Sequence, residues 1–276
     1  MAAPDLSFAQ QTGVVAMSLL LFVLGGVVYG RVAARLRCGG EVRVEWVALP
    51  DLLVSTVLAT FFGGLVIRAA LRHTEEAPLK PENVLPSSLT FAIFVVSIGA
   101  FLAYRRLRIT EVFGFARLRA RHVCGWAALL LLGAMPFVGV VSAVTALLLK
   151  SAAEPQPLVE LFRAAAQRGD TSTMLTVVVA GVVLAPLCEE FLFRGYFYGV
   201  GKRYAGAWIS GLFTAALFAA FHASLTSFSG LFVLALALTL AYERAGSLAV
   251  PITMHALFNA TSLGVLYLQA MNRLPK

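Results

Sequence analysis

The stretch LAPLCEEFLFRGYFYG, residues Leu184–Gly199, holds three charged side chains inside an otherwise apolar run. They are Glu189, Glu190 and Arg194. A charged side chain at the centre of a membrane helix costs roughly 2.5–3.5 kcal/mol on insertion scales, so three of them kept together indicate a function. The rest of the chain is most simply interpreted as the scaffold that holds this cluster.

The composition is that of a helical membrane protein. Of the 276 residues, 59% are hydrophobic and only 13% are charged, whereas soluble domains have about 45–50% apolar and about 25% charged residues. The hydrophobic residues lie in long blocks, unlike the alternating segments of about ten residues in transmembrane barrels. The predicted fold class is therefore all-α, a polytopic membrane bundle of about eight transmembrane helices.

Eight hydrophobic spans follow one another along the chain. They are predicted at Gly13–Gly30, Trp46–Ile67, Ser87–Tyr104, Val123–Leu149, Met174–Val200, Ala205–His222, Phe228–Tyr242 and Val250–Leu268. Residues 1–172 supply four spans plus amphipathic segments, and residues 173–270 supply the four spans with the polar motifs, within one integrated membrane domain. Of the connections, Arg105–His122 carries six arginines and is predicted to lie on the membrane surface. Residues 157–167 are predicted to form a short amphipathic helix.

The net charge of +8 comes from basic residues that fall between the hydrophobic blocks. Placing both termini on the non-cytoplasmic side assigns 14 of the 22 Lys and Arg residues to the cytoplasmic side, as the positive-inside rule requires. The charge therefore indicates orientation in a plasma membrane rather than binding to nucleic acid. The three cysteines have no CxxC spacing, which argues against a disulfide framework or a zinc cluster.

Three polar motifs interrupt the last spans. Glu190 and Arg194 are at i and i+4, so they can form an ion pair on one helix face, whereas Glu189 is rotated by about 100°. His222 ends the sixth span, four residues after Phe218. His255 and Asn259 lie one turn apart in the last span. Two directed hydrogen-bond groups so placed could embrace one oxygen atom, as an oxyanion site requires.

Each motif alone also has a purely structural interpretation. The charged trio could stabilise packing, and a single membrane histidine is more often a hydrogen-bond partner between helices than a catalyst. Cys188, beside the two glutamates, is best interpreted as a small buried hydrophobic residue. The joint appearance of Glu, two His and Asn on three separate spans favours chemistry over packing.

The ordered trio of motifs, EExxxR at residues 189–194, FxxxH at 218–222 and HxxxN at 255–259, resembles the CPBP family. These are the CAAX proteases and the bacteriocin-processing or immunity-type (ABI-like) intramembrane proteases, and the resemblance covers residues 177–266. It implies a catalytic cavity and an intramembrane glutamic endopeptidase acting on a membrane-associated peptide or protein substrate within the lipid bilayer. In eukaryotic members the substrate carries a prenylated cysteine, a specificity that nothing in this sequence indicates.

The resemblance also implies a role for each motif residue. Glu189 is expected to be the general base that activates a water, with His222 as its partner. His255 and Asn259 are expected to stabilise the tetrahedral oxyanion. Supporting positions are expected at Glu190, Arg194 and Phe218.

Metal dependence has two interpretations at this point. Zinc could be bound by Glu189, His222 and His255. The absence of HExxH spacing and the weakness of Asn as a zinc ligand favour a mechanism that needs no metal and no other cofactor.

Two further functions compete with the peptidase hypothesis. One is a catalytically silent scaffold or bacteriocin-immunity-type protein with the same fold. The other is a transporter with an ion-coupled carboxylate, which the absence of an apparent internal repeat disfavours. One geometric conflict also arises: drawn as straight rods, the predicted spans place His222 on the order of 10 Å away in depth from Glu189.

Overall fold

The computed structural model describes residues 8–37, 39–71, 79–149 and 156–271, and these residues form helices without any strand. The α-helices are α1 (Phe8–Arg37), α2 (Leu49–Leu71), α3 (Pro81–Tyr104), α4 (Ile109–Val112), α5 (Ala120–Leu149), α6 (Pro157–Arg168), α7 (Thr171–Val178), α8 (Ala185–Glu190), α9 (Tyr198–Phe221), α10 (Leu225–Ala245) and α11 (Ala249–Ala270). Two π-helical turns, Val179–Leu184 and Phe191–Phe197, join α7 to α8 and α8 to α9. The predicted all-α fold class is confirmed.

Seven helical segments of the described chain are long and apolar enough to cross a membrane. Six are single helices, and the seventh is the 51-residue run Thr171–Phe221. At 1.5 Å per residue this run would be about 77 Å long, more than twice the roughly 30 Å of a hydrocarbon core. Its continuity is broken at Gly206, whose φ of 82° and ψ of 165° are not helical.

Gly206 is the turn of a helical hairpin. The Ser210 hydroxyl donates to the carbonyl of Tyr198, 12 residues earlier, at 3.0 Å. In a straight helix these residues would be about 18 Å apart. The hairpin therefore crosses the membrane twice, which agrees with the prediction of about eight spans.

The hairpin also removes the expected difference in depth between Glu189 and His222. The first arm stays helical to residue 205, beyond the predicted end at Val200. Glu189 lies 17 residues before Gly206 and His222 lies 16 residues after it, so both are about 25 Å from the turn. The conflict arose from ending the fifth span too early.

The core of the bundle is built around the second π-helical turn. Every residue of Phe191–Phe197 is buried, and the aromatic rings of Phe113, Phe193 and Phe218 belong to the same cluster. Outer helices instead expose large apolar side chains such as Val57, with 68% of its surface accessible. Such exposure is expected where lipid rather than water surrounds the protein.

The basic connection between α3 and α5 inserts into the bundle, which corrects the prediction of a membrane-surface segment. Its helical part is the single turn α4. Phe113 is 1% exposed and packs edge-on against Phe191, with ring centroids 5.0 Å apart. The Phe113 carbonyl accepts a hydrogen bond from the backbone N–H of Leu248 at 2.9 Å. Phe113 is therefore buried in the bundle rather than placed on the membrane surface, while most of the arginines of this connection remain exposed.

Buried ionic groups link the helices at the end of the bundle where this basic connection lies. Glu243, 1% exposed, accepts from the Tyr198 hydroxyl at 2.6 Å and from Lys202 Nζ at 2.6 Å. Lys202 also donates to the carbonyls of Gly39 and Val42. The connections before α2 and around Gly206 therefore lie at one end of the bundle.

A second buried ion pair lies at the same end. Asp51, fully buried, pairs with Arg105 and accepts from the Ala48 N–H at 2.7 Å. Arg105 also donates to the Trp46 carbonyl at 3.1 Å. The two partners are 54 residues apart, so spacing along the sequence does not indicate this pair.

The opposite end of the bundle carries the predicted amphipathic helix. α6 buries Leu161 and Phe162, which confirms the prediction for residues 157–167. Asp170 then caps α7, accepting from the Thr173 hydroxyl at 2.6 Å and from its N–H at 3.1 Å. These hydrogen bonds from Thr173 hold the pKa of the Asp170 carboxyl below its usual value.

Candidate active site

The helix that carries the two glutamates widens into a π-helical turn before them and again after them. The Ala185 N–H donates to the Ala180 carbonyl, and the Tyr198 N–H donates to the Phe193 carbonyl, each five residues back. Single π-turns of this kind occur frequently at functional sites. The first of these π-turns precedes Pro186, a residue that has no backbone N–H to donate.

Glu190, Arg194 and His255 form a buried ionic group. Arg194 Nη1 lies 2.8 Å from Glu190 Oε1, which confirms the predicted i, i+4 ion pair. His255 Nδ1 lies 2.8 Å from the same carboxylate oxygen. All three residues are at most 3% exposed. Because an ionised carboxylate only accepts hydrogen bonds, His255 carries a proton on Nδ1 and turns Nε2 the other way.

Glu189 faces that second imidazole nitrogen. Its Oε2 lies 3.9 Å from His255 Nε2, beyond hydrogen-bond distance. Within the described part of the chain, this buried Oε2 has no hydrogen-bond partner. A buried polar atom without a partner marks a place where water or a reacting group belongs.

Glu189 also lines an apolar cavity of about 470 Å³. The cavity lies between α2, α3, α6 and the first arm of the hairpin, and much of its wall is aromatic. The phenylalanines that line it are Phe61, Phe62, Phe91, Phe94 and Phe221. The hydroxyls of Ser87, Ser88 and Thr90 donate to carbonyls four residues back in α3, so they are already satisfied. Glu189 is therefore the acidic group that the cavity presents to a ligand.

Phe218 joins His222 to the ionic group. Its ring centroid lies 4.3 Å from the Arg194 guanidinium carbon, 4.8 Å from the His222 ring and 5.8 Å from the His255 ring. His222 Nδ1 lies 2.8 Å from the Phe218 carbonyl oxygen and must donate to it, so in the neutral ring Nε2 is the nitrogen that accepts. In the described residues His222 is thus bonded to Phe218 rather than to Glu189.

Asn259, like His255, forms a hydrogen bond with the first arm of the hairpin. Its Nδ2 donates to the Gly181 carbonyl at 2.7 Å. The predicted shared face of His255 and Asn259 is therefore directed at the hairpin, but both groups already have partners there. One amide N–H of Asn259 remains for a further acceptor. Stabilisation of an oxyanion by this pair stays a prediction.

The zinc alternative concerned Glu189, His222 and His255. Over the described ranges, no group of three or more His, Cys, Asp or Glu side chains is arranged to hold a metal ion. The predicted independence from metal remains to be tested by experiment.

Sequence reasoning missed two contributors to the site. The Gly181 carbonyl is a backbone group, so no residue type identifies it. Its only signal is Pro186, which removes a donor five residues later. The aromatic wall from α2 and α3 gave no signal, because phenylalanine is ordinary in membrane spans.

Comparisons with known proteins concern this part of the chain. Residues 171–261 match the family described as Type II CAAX prenyl endopeptidase Rce1-like. The chain is 38% identical over 100 residues to an uncharacterized 24.3 kDa protein of Escherichia coli, covering 34% of this chain and 43% of that protein. The chain thus spans less than half the length of this curated relative. No solved structure matches.

The matched segment contains all three polar motifs. It begins at the first residue of α7 and ends two residues beyond Asn259. Residues 171–261, which hold the glutamate pair, both site histidines and Asn259, are therefore Rce1-like in sequence, and the resemblance to the CPBP family is confirmed over that segment.

Proposed function

We propose that this chain is an intramembrane endopeptidase that uses a glutamate-activated water to cleave a membrane-associated peptide or protein. The observation that carries the proposal is the gap between Glu189 and His255. An unpartnered carboxylate oxygen faces an imidazole nitrogen across 3.9 Å, at the wall of an apolar cavity. This arrangement can hold and polarise one water.

The reaction follows from the groups around that gap. Glu189 accepts a proton from the water, and the oxygen attacks the carbonyl carbon of the substrate while the carbonyl electron pair moves onto its oxygen. Glu189 then returns the proton to the leaving nitrogen as the C–N bond breaks, giving a carboxylic acid and an amine. No serine or cysteine nucleophile is required, because the water attacks directly.

The neighbouring residues hold and complement this base. Glu190, fixed by Arg194, holds the His255 ring so that Nε2 faces Glu189. When Nε2 is protonated it can donate to the oxyanion, as can the second amide N–H of Asn259. Phe218 spaces the histidine rings, and His222 offers Nε2 from the end of α9.

The cavity favours a substrate that is itself apolar and bound to the membrane. Its wall is mostly hydrocarbon and aromatic, so a charged soluble peptide would lose hydration without gaining partners there. The surrounding helices expose apolar side chains suited to lipid. A substrate that reaches Glu189 from the bilayer avoids that cost.

The test is a comparison of C-terminal peptides from cells that make the wild-type protein or Glu189→Gln. Products expected from cleavage should disappear with Glu189→Gln and persist with Glu160→Gln, which changes an exposed glutamate on α6. Persistence of the products with Glu189→Gln would refute the peptidase proposal. A cellular phenotype that survives this change would favour the silent scaffold instead.

Metal independence is the second part of this proposal. A zinc chelator should leave cleavage by the purified protein unchanged, and elemental analysis should find less than stoichiometric metal. Loss of activity that added zinc restores would overturn this part and would leave the role of Glu189 standing.

A further inference from the structure

The hydrogen bonds around Pro186 leave one backbone carbonyl without a donor in its own helix. In an α-helix the Gly181 carbonyl would accept from the N–H of Ala185, but that N–H donates to Ala180. In a π-turn it would accept from residue 186, which is proline and has no N–H. Both ordinary donors of the Gly181 carbonyl are thereby removed.

The Gly181 carbonyl lies in the interior of the protein and needs a hydrogen-bond partner there. Gly181 is buried, and buried carbonyl groups in membranes require partners from the protein. The structure supplies Asn259, whose Nδ2 lies 2.7 Å from the Gly181 oxygen. The partner comes from α11, 78 residues away in sequence.

The bond ties α11 to the hairpin at a second point. His255, one turn before Asn259, is held by Glu190 at 2.8 Å. These two bonds add directed contacts with the segment that carries Glu189 to the packing of α11 against α5, α6 and α10.

We propose that Pro186 is a positioning residue that acts through Asn259. By lacking an N–H, Pro186 leaves the Gly181 carbonyl as a dedicated acceptor, and this carbonyl aims the Asn259 amide beside His255. The effect on catalysis rests on the proposed peptidase function. The effect on the Asn259 amide does not.

The direct test observes the side-chain amide of Asn259 by NMR. The sequence has three asparagines, Asn83, Asn259 and Asn272, so protein labelled with ¹⁵N-asparagine gives three side-chain pairs, and Asn259→Ala assigns the relevant one. Pro186→Ala supplies an N–H that competes for the Gly181 carbonyl. Exchange of the bonded Asn259 amide hydrogen should then accelerate by about tenfold or more.

Pro136→Ala is the matched control, because Pro136 also lies inside a membrane helix, α5. It should leave the Asn259 signals and their exchange unchanged. An unchanged Asn259 amide in folded Pro186→Ala would overturn the proposal, as would an equal change in both variants.

Activity provides a second readout that separates the two proposals. Pro186→Ala should lower kcat more than it alters KM, and the double variant with Asn259→Ala should be no slower than Asn259→Ala alone. Additive losses would contradict action through Asn259. If wild-type protein shows no cleavage that depends on Glu189, the proposed function fails, while the NMR result still decides the role of Pro186.

Discussion

His255 and Arg194 donate to one and the same oxygen of Glu190, each at 2.8 Å. The second carboxylate oxygen of Glu190 and Nη2 of Arg194 are buried without a partner among the described residues. Glu190 is thus the point that joins the hairpin to α11. Its charge balances Arg194, and its position orients His255.

Glu190→Gln is expected to destabilise the protein strongly. Glutamine keeps the size of the side chain but leaves the buried Arg194 charge uncompensated, at a cost of about 3–5 kcal/mol in the free energy of unfolding. Reversible unfolding in mixed micelles measures this loss. The control is Glu111→Gln, because Glu111 pairs with Arg108 on the surface, where an ion pair contributes roughly 0–1 kcal/mol. Equal losses in the two variants would contradict the role given to Glu190.

His222 is expected to tolerate Gln better than Asn. Its Nδ1 is occupied by the Phe218 carbonyl, so Nε2 is the nitrogen left to act. A glutamine amide reaches the position of Nε2, whereas an asparagine amide reaches only that of Nδ1. We expect kcat/KM of the proposed cleavage to be at least about tenfold higher for His222→Gln than for His222→Asn, within the usual range of acid–base contributions. The reverse order, in variants of equal thermal stability, would assign the active nitrogen to Nδ1.

The helical spans could be predicted because hydrophobic length alone sets them, but the turn of the hairpin could not. Gly199, Gly201 and Gly206 fall within eight residues and look alike in sequence. Gly199 lies against the ring of Trp46 and Gly201 against Ser210, where larger residues would collide. Of these three glycines, only Gly206 adopts a positive φ. Only tertiary contacts distinguish a glycine that permits close packing from one that reverses the chain.

The same limit applies to the candidate site. Glu190 and Arg194 are four residues apart, so helical geometry predicted their ion pair. The bond between Glu190 and His255 spans 65 residues, and that between Tyr198 and Glu243 spans 45. Spacing within one helix says nothing about such pairs. They depend on which faces of two helices meet.

Gly40→Ala is expected to disrupt the basic end of the bundle more than Gly39→Ala. Both glycines have positive φ, 65° and 95°, so alanine costs about 1–2 kcal/mol at either position. At Gly40 the added Cβ would also overlap the buried carboxylate of Glu243, whereas at Gly39 it would meet open space. Overpacking of this kind adds about 1–3 kcal/mol. Thermal unfolding in detergent compares the two variants, and equal midpoints would show that Glu243 is not held against this loop.

The orientation of the bundle gives a prediction for intact cells. Lys202 contacts Gly39, and Arg117 donates to the carbonyls of Glu41 and Gly246, so the basic connections lie at one end. The positive-inside rule places that end in the cytoplasm and the start of α7 outside.

Cysteine labelling tests this orientation in protein whose three native cysteines are replaced by alanine. A membrane-impermeant maleimide should label Ser172→Cys, at the start of α7, in intact cells. It should label Ala116→Cys, in the basic connection, only after the cells are permeabilised. Both positions are exposed and neither change alters the charge, so accessibility reports the side of the membrane. The opposite labelling pattern would place the basic end outside and refute the predicted position of the termini.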